Sequence, residues 1–306
     1  ECMKEVEHQL KNLSILKDFL NELPNALRAM DHPSGDGPNT FVVSKATREK
    51  GITVALSGLG GDELFAGYSV FTQLKKLKEN HLLENIPVML RKWAGNAYAG
   101  IKPGIASRKV KEILRQPAFD LPLTYPVSRR IYFDEELKQI LQLDEKNLSS
   151  DALLPPMHIK NSIPYLSQIS IYEFGTYMQN VLLRDTDQMS MAHALEVREP
   201  FLDFELVEYV LGVSDDFKNP VTPKKLLVDA MGHRLPPEIV NRKKMGFSFP
   251  WKNWLQGELR NFCEEKLQSL LDRDFINAKE VKALQKKFFT GDNNVNWIRI
   301  WLLIVL

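Results

Sequence analysis

Apolar residues at Leu13, Leu16, Leu20, Leu23, Leu27 and Met30 recur at helical spacing, so residues 10–30 predict an amphipathic helix. The breaker-rich run Asp31-His32-Pro33-Ser34-Gly35-Asp36-Gly37-Pro38 ends it in a polar loop. Residues 41–50 predict a second helix, closed by Gly51 as its C-terminal cap. Residues 52–56 (Ile-Thr-Val-Ala-Leu) then have the length and composition of one buried strand. The strand breaks into Ser57-Gly58-Leu59-Gly60-Gly61, and after Asp62 and Glu63 the apolar residues Leu64, Phe65 and Tyr68 resume at helical spacing. Helix, strand, glycine loop and helix in that order are the rhythm of an α/β unit with a parallel sheet. No second convincing strand pattern is present, so the rest of the sheet is either cryptic or precedes Glu1.

The remaining pattern is helical. From residue 71 to 151 it is basic and punctuated by Pro87, Pro103, Pro117, Pro122 and Pro126, and Leu74-Lys75-Lys76-Leu77-Lys78 reads as a solvated helix face. Asp134 is placed to cap a helix. Residues 167–191 have apolar side chains all round and predict a long buried helix. Asp203 is placed as N-cap of a helix over 204–212, and Thr222 with Pro223 behind it as the start of another. Pro236-Pro237-Glu238 opens a short turn, and Arg242-Lys243-Lys244 falls on a loop before Gly246. Residues 251–306 are helical, ending in an apolar run in which Trp297 and Trp301 share one face.

Composition narrows the classes. The 306 residues are 44% hydrophobic and 26% charged, an ordinary globular balance for one or two domains. A net charge of +1 supplies no global field for nucleic acid or an anionic membrane, and neither partner is expected. The seven-residue run 300–306 is too short to cross a bilayer. Cys2 and Cys263 have no zinc or disulfide spacing, so reduced thiols and a cytoplasmic location are expected. The six histidines form no metal-binding motif. The start at Glu1, without an initiator Met and inside a helical pattern, reads as a fragment of something longer.

Two readings of residues 57–63 stand side by side. Glycines let backbone N–H groups approach a ligand, a helix start suits phosphate, and an acid in the first turn can hold a cation that itself holds phosphate. Alternatively, Asp62 and Glu63 simply stabilise the helix start, at about 0.3–1 kcal/mol each. Residues 182–203 set Arg184, Asp185, Asp187, Glu196, Arg198, Glu199 and Asp203 in an apolar background, where buried charges need partners; for most of them a structural ion-pair network is the expectation.

Three stretches together resemble the synthetase domain of the glutamine-hydrolysing asparagine synthetase family. Residues 57–68 match Ser-Gly-x-Gly-x-Asp-Glu-Leu-Phe-x-Gly-Tyr. Residues 187–203 match Asp-x-Met-Ser-Met-Ala-His-x-Leu-Glu-Val-Arg-x-Pro-Phe-Leu-Asp. Residues 235–247 match Leu-Pro-x-x-Ile followed by Arg-x-Lys-x-Gly-Phe with small differences. The resemblance is colinear and spans essentially the whole chain. It implies an α/β fold: a truncated parallel sheet of adenine-nucleotide alpha-hydrolase-like (ATP-pyrophosphatase) type over residues 1–70, followed by a mostly helical remainder over 71–306.

The chemistry implied is adenylation of the aspartate side-chain carboxylate by ATP and Mg²⁺, then attack by ammonia delivered from glutamine by an amidotransferase domain or chain. By position, Ser57, Gly58 and Gly60 contact the nucleotide, Asp62 ligates Mg²⁺ and Glu63 assists behind it. Lys244 stabilises charge on the phosphates and the tetrahedral species. Glu196 and Arg198 fall in the acyl-site segment, where they bind or polarise the amino-acid substrate or ammonia. The resemblance leaves room for a homodimer. Two departures bear on the substrate: Leu59 stands where asparagine synthetases usually carry a catalytic Glu, and Gln188 replaces a frequent Arg. Both open the alternative of a non-aspartate carboxylate. The family's Ser-Gly-Gly-x-Asp-Ser pyrophosphate loop is not found; Ser34-Gly35-Asp36-Gly37 has no strand before it. The expectation is therefore that this chain alone does not catalyse ATP–pyrophosphate exchange, and a non-catalytic scaffold is a third reading.

Overall fold

A computed structural model describes residues 13–102, 104–142, 159–160, 162–240, 249–292 and 294–306. The first helix, α1 (Leu13–Ala29), follows the predicted stripe. The second, α2 (Gly37–Glu49), starts earlier than its pattern suggests, because Pro38 sits in the first turn, where a missing N–H costs nothing. Gly51 closes it at φ +80°, donating its N–H to the Arg48 carbonyl at 2.9 Å.

Strand β1 (Val54–Leu56) pairs in parallel with β2 (Glu196–Arg198), in register Val54↔Glu196, Ala55↔Val197 and Leu56↔Arg198. The second strand was cryptic because two of its three residues are charged, which erases the apolar alternation. Pairing also corrects the expectation that β1 is buried: Leu56 is 74% exposed and Val54 is exposed too. Residues in register across a ladder share a face, so Val54 and Leu56 stand beside Glu196 and Arg198, both of which keep their charges in water.

The helix after the glycine loop is shorter than its spacing implied. It is the single turn α3 (Gly61–Leu64). Ala66 turns left-handed at φ +54°, Phe65 N–H bonds the Gly61 carbonyl, and Gly67 N–H reaches back to the Asp62 carbonyl at 2.8 Å. A left-handed residue followed by this long reverse bond from Gly67 is how a Schellman-type stop ends a helix. A Cβ on Gly67 would lie 2.9 Å from the Asp62 Cα, so glycine is required there. Helix α4 (Ser69–Glu79) then starts afresh.

Helices α5 (His81–Glu84), α6 (Val88–Ile101), α7 (Ile105–Arg115) and α8 (Leu121–Arg129) carry the basic stretch. In α9 (Asp134–Leu141) the cap is Phe133, one residue before the expected Asp134; Phe133 N–H bonds the Glu136 carboxylate. The predicted long helix is one continuous rod: α10 (Tyr165–Glu173), a π-helical segment (Phe174–Leu182) and α11 (Leu183–Met191). Asp203 caps α12 (Phe204–Gly212) as expected, accepting from Leu206 N–H at 3.1 Å. After α13 (Asp215–Lys218), helix α14 (Lys225–Met231) begins at Lys225, not Thr222. Thr222 instead closes a tight turn with Lys225 N–H, and Lys224 is left-handed at φ +58°. The proline-led turn is α15 (Pro237–Val240), and α16 (Trp251–Gln256), α17 (Arg260–Leu271), α18 (Ala278–Phe289) and α19 (Trp297–Ile304) complete the chain.

The largest core joins the two ends of the chain: Phe19 and Phe41 pack with Trp251, Trp254, Leu267, Phe288 and Trp301. Trp297 and Trp301 both meet Trp251, at 5.7 and 4.4 Å between ring centroids, as their shared face predicts. Burial of each such side chain contributes about 1.5–3 kcal/mol. Two smaller cores flank the glycine loop. Ala66, Val70 and Phe71 pack on Leu166, Ile169 and Tyr125, while Leu64 and Phe65 pack on Val210, Phe201 and Leu206. The segment after the loop is thus clamped from both sides.

Lys218 is a fully buried lysine on α13, its ammonium donating to the Ser167 hydroxyl. Burial pushes its pKa down to about 8, and the Asp215 carboxylate only partly offsets that. The unfolded chain therefore holds one more proton between about pH 8 and the ordinary lysine value, and Lys218's contribution to stability rises with pH across that window. Between pH 7.5 and 10, wild type should gain up to roughly 3 kcal/mol relative to Lys218→Met, read by urea unfolding of both proteins at each pH.

Candidate nucleotide and acyl site

Ser57 leaves the sheet as the last rung of the ladder, its N–H donating to the Arg198 carbonyl at 2.8 Å. Its hydroxyl accepts from Leu59 N–H at 3.2 Å, and Gly61 N–H bonds the Gly58 carbonyl. The loop is therefore internally bonded, with the Ser57, Leu59 and Gly61 amides committed to protein. Gly58 is the open position: it is exposed, and a Cβ there would meet nothing within 4 Å. Gly60 has a different role. It is buried and left-handed at φ +87°, and a Cβ would sit 2.6 Å from Leu202. Glycine there permits the loop to close onto the second motif. Leu59 is half-buried and carries no group that titrates.

Asp62 points at a residue that sequence reasoning did not single out. The Lys224 ammonium lies 3.3 Å from its carboxylate. The left-handed backbone that delays α14 is what carries Lys224 to this position; the basic pair Lys224-Lys225 after a proline was its only signal. No group of three or more His, Cys, Asp or Glu suited to a metal exists among the described residues. One carboxylate beside an ammonium does not make a resident metal cage. It does fit a Mg²⁺ ion that arrives on phosphate, since that ion keeps water and phosphate oxygens in most of its coordination sphere.

Glu63, next to Asp62, faces inward. It is buried, accepts from the Tyr68 hydroxyl at 2.6 Å, and its backbone carbonyl accepts from Ser170. Burial raises its pKa, and the Tyr68 hydrogen bond pulls it partly back. Behind it, the Arg129 guanidinium makes a two-pronged pair with the buried Glu173 carboxylate, one arm at 3.0 Å. The same guanidinium lies over the rings of Tyr68 and Tyr177, at 4.9 and 4.4 Å. Tyr177 belongs to the π-helical segment and donates to Asp36 at 3.2 Å. Glu173 interrupts an otherwise uncharged stretch, residues 161–183, which was its signal in the sequence.

The second motif divides into an anchor and an open strand. In α11, Asp185 is buried, with the Ser34 hydroxyl bonded to it and the His32 ring nitrogen at 3.3 Å. Burial raises its pKa to about 6. Arg184 pairs with Asp31 at 2.9 Å, and Gln188 accepts from Asp31 N–H. Of the charges expected to form an ion-pair network, Arg184 and Asp185 find partners in the loop at residues 31–36. Gln188, where the family often has Arg, ties that loop down. On β2, Glu196 and Arg198 pair with each other at 2.7 Å and are more than half exposed. The fold thus brings Ser57 against Arg198, Gly60 against Leu202, and Asp62 next to Lys224. Lys244 lies outside the described residues.

Truncating the half-buried Arg129 leaves the fully buried Glu173 without its partner. Arg129→Met should lose about 3–5 kcal/mol of unfolding free energy at neutral pH, measured by denaturant titration.

A family model described as asparagine synthase matches residues 6–305. Asparagine synthetase [glutamine-hydrolyzing] 1 of Bacillus subtilis is 30% identical, with 94% of this chain and 45% of that protein covered. Asparagine synthetase [glutamine-hydrolyzing] 3 of the same organism is 26% identical over 84% of this chain and 38% of its own length. Amidase chyE of Penicillium rubens is 25% identical over 85% of this chain and 42% of its own. The chain spans less than half the length of these curated relatives, and no solved structure matches it significantly. With a match running over residues 6–305 and the first two motifs meeting at one end of the sheet, the chain belongs to the asparagine synthase family.

Proposed function

We propose that this chain is the ATP-dependent, amide-forming part of an enzyme of asparagine-synthetase type. The observation that carries the reading is the junction of the first two motifs: the loop starting at Ser57 is hydrogen-bonded to Arg198, although some 140 residues separate them. A nucleotide at the loop and a carboxylate at β2 would be neighbours, as adenylation requires.

In this reading a carboxylate oxygen of the substrate attacks the α-phosphorus of ATP and pyrophosphate leaves. Ammonia, released from glutamine by an amidotransferase domain or chain, then attacks the acyl carbon; AMP leaves and the nitrogen gives up a proton. Gly58 lets the phosphates approach the backbone, helped by the Ser57 hydroxyl. Asp62 would hold Mg²⁺, which neutralises phosphate charge, and the Lys224 ammonium stands beside it as a second cation for the phosphates. Arg198 orients the substrate carboxylate and Glu196 receives the amine or ammonia, so their mutual ion pair must open when substrate enters. Lys244, on the third motif, stabilises the developing negative charge. The buried pairs Tyr68–Glu63 and Arg129–Glu173 hold the turn bearing Asp62 rigid from behind.

Aspartate is the first substrate to test. Leu59 favours a second reading within the same chemistry, because leucine cannot move the proton that the family Glu handles; another carboxylate would then be the acceptor. Binding comes first: titration calorimetry with Mg²⁺–ATP should show saturable binding by the purified chain, and Asp62→Asn or Lys224→Met should weaken it roughly tenfold each, the loss of one charged contact. Failure of the wild-type chain to bind ATP sinks the proposal. Pyrophosphate release by the protein expressed from its whole reading frame, assayed with ammonium and a panel of carboxylates, then separates aspartate from other acceptors. Asp62→Asn should lower that release on the order of 10²-fold.

A further inference from the structure

Helix α6 is built inside out. Its buried side presents Arg91, 3% exposed, whose guanidinium donates to the Ile86 and Pro117 carbonyls and lies 4.7 Å over the Phe119 ring. Gly95 on the same side brings the helix against Lys111 of α7. The opposite side is apolar and faces water: Met89 is 82% exposed, Trp93 73% and Ile101 81%, with Leu90 beside them and Leu82 and Ile86 on the turn before. These positions recur at helical spacing, so they form one stripe. A soluble helix ordinarily shows the reverse arrangement, and a stripe of this kind marks a surface that is covered by something.

Charge identifies what covers it. Residues 75–115 hold ten Lys and Arg against three Asp and Glu, a net +7. The whole chain is +1, so the other 265 residues carry −6. The near-neutral total therefore hides a strongly basic unit, α4–α7, which carries the apolar stripe. Lys76, Lys78, Lys92 and Lys102 of this unit are exposed, as is Arg108, whose guanidinium pairs with Glu136. Beside Gly100, Arg108 and Lys111 line a cavity of about 300 Å³ together with Asn96 and Asn294. Bulky apolar side chains with a Trp among them, on a strongly basic unit, are the composition of a helix that lies in the headgroup layer of a membrane. No described helix is long and apolar enough to span a bilayer, so such binding would be peripheral.

We propose that the α4–α7 unit docks on an anionic phospholipid surface, with Met89, Trp93 and Ile101 of α6 entering the acyl boundary and the exposed lysines of the unit meeting the headgroup phosphates. The test is co-sedimentation of the purified protein with phosphatidylcholine vesicles, with and without phosphatidylserine. Binding is expected only to the serine-containing vesicles, weakening as salt is raised. Lys92→Glu should weaken it at least fivefold, since one cation near such a surface is worth roughly that factor. The double variant Met89→Ser, Trp93→Ser should abolish it while leaving the circular dichroism spectrum and thermal unfolding unchanged, because both side chains are exposed. No binding to serine-containing vesicles overturns the proposal. So does equal binding to pure phosphatidylcholine, or self-association in solution that the double variant abolishes, which would assign the stripe to a second copy of the chain.

Discussion

The candidate site depends on a parallel ladder only three residues long. Val54–Leu56 and Glu196–Arg198 pair in register, and the bond from Ser57 N–H to the Arg198 carbonyl extends the ladder into the glycine loop. So short a ladder cannot hold itself together; isolated two-stranded pairings are marginal in water. Its support comes from what flanks it. Gly60 closes against Leu202, Phe65 packs edge-on against Phe201 at 5.8 Å, and the anchor of α11 fixes where β2 begins. The two motifs are thus held together mainly by packing just beyond the strands.

That packing explains a division of labour among the charges. Those that hold the frame are buried and paired: Glu173 with Arg129, Glu63 with Tyr68, Asp185 with Ser34 and His32. Those proposed for chemistry pair with one another and reach solvent: Glu196 with Arg198, both exposed, and Asp62 with Lys224, both partly exposed. A buried pair is costly to break because the orphaned charge cannot reach water, whereas an exposed pair exchanges its partner for a ligand at little cost. Adjacent residues of one motif, Asp62 and Glu63, fall on opposite sides of this division because α3 is a single turn whose successive side chains point in different directions.

The basic unit α4–α7 stands apart from this frame. It shares a core with α8 and α10 through Phe71, Leu74, Leu121 and Leu166, yet sends its apolar α6 stripe away from that core. Arg91 is the reason the helix can sit this way round: its guanidinium satisfies two backbone carbonyls and stacks on Phe119, so burying a charge there leaves contacts in place.

Much of this protein was legible from its residues alone. The stripe of α1 and the Trp297–Trp301 face follow from periodicity, because a helix that buries one side must repeat its apolar residues every three or four positions. The rod through α10 and α11 follows from its long apolar run, although Gln179, Asn180, Arg184 and Asp187 leave part of it exposed rather than buried all round. The Asp203 cap and the Gly51 stop follow from local backbone chemistry. The family followed from three colinear motifs. What only tertiary structure decided is which residues meet. Strand β2 was invisible because pairing, not composition, makes Glu-Val-Arg a strand, and β1 proved exposed, beside register partners that are exposed too. Lys224 reached Asp62 through a left-handed backbone that no residue type announced, and α6 turned its arginine inward because Phe119 and the Pro117 carbonyl, some 26 residues on, were there to receive it. Local sequence sets what each segment can form; the distant partner selects which face of it is buried.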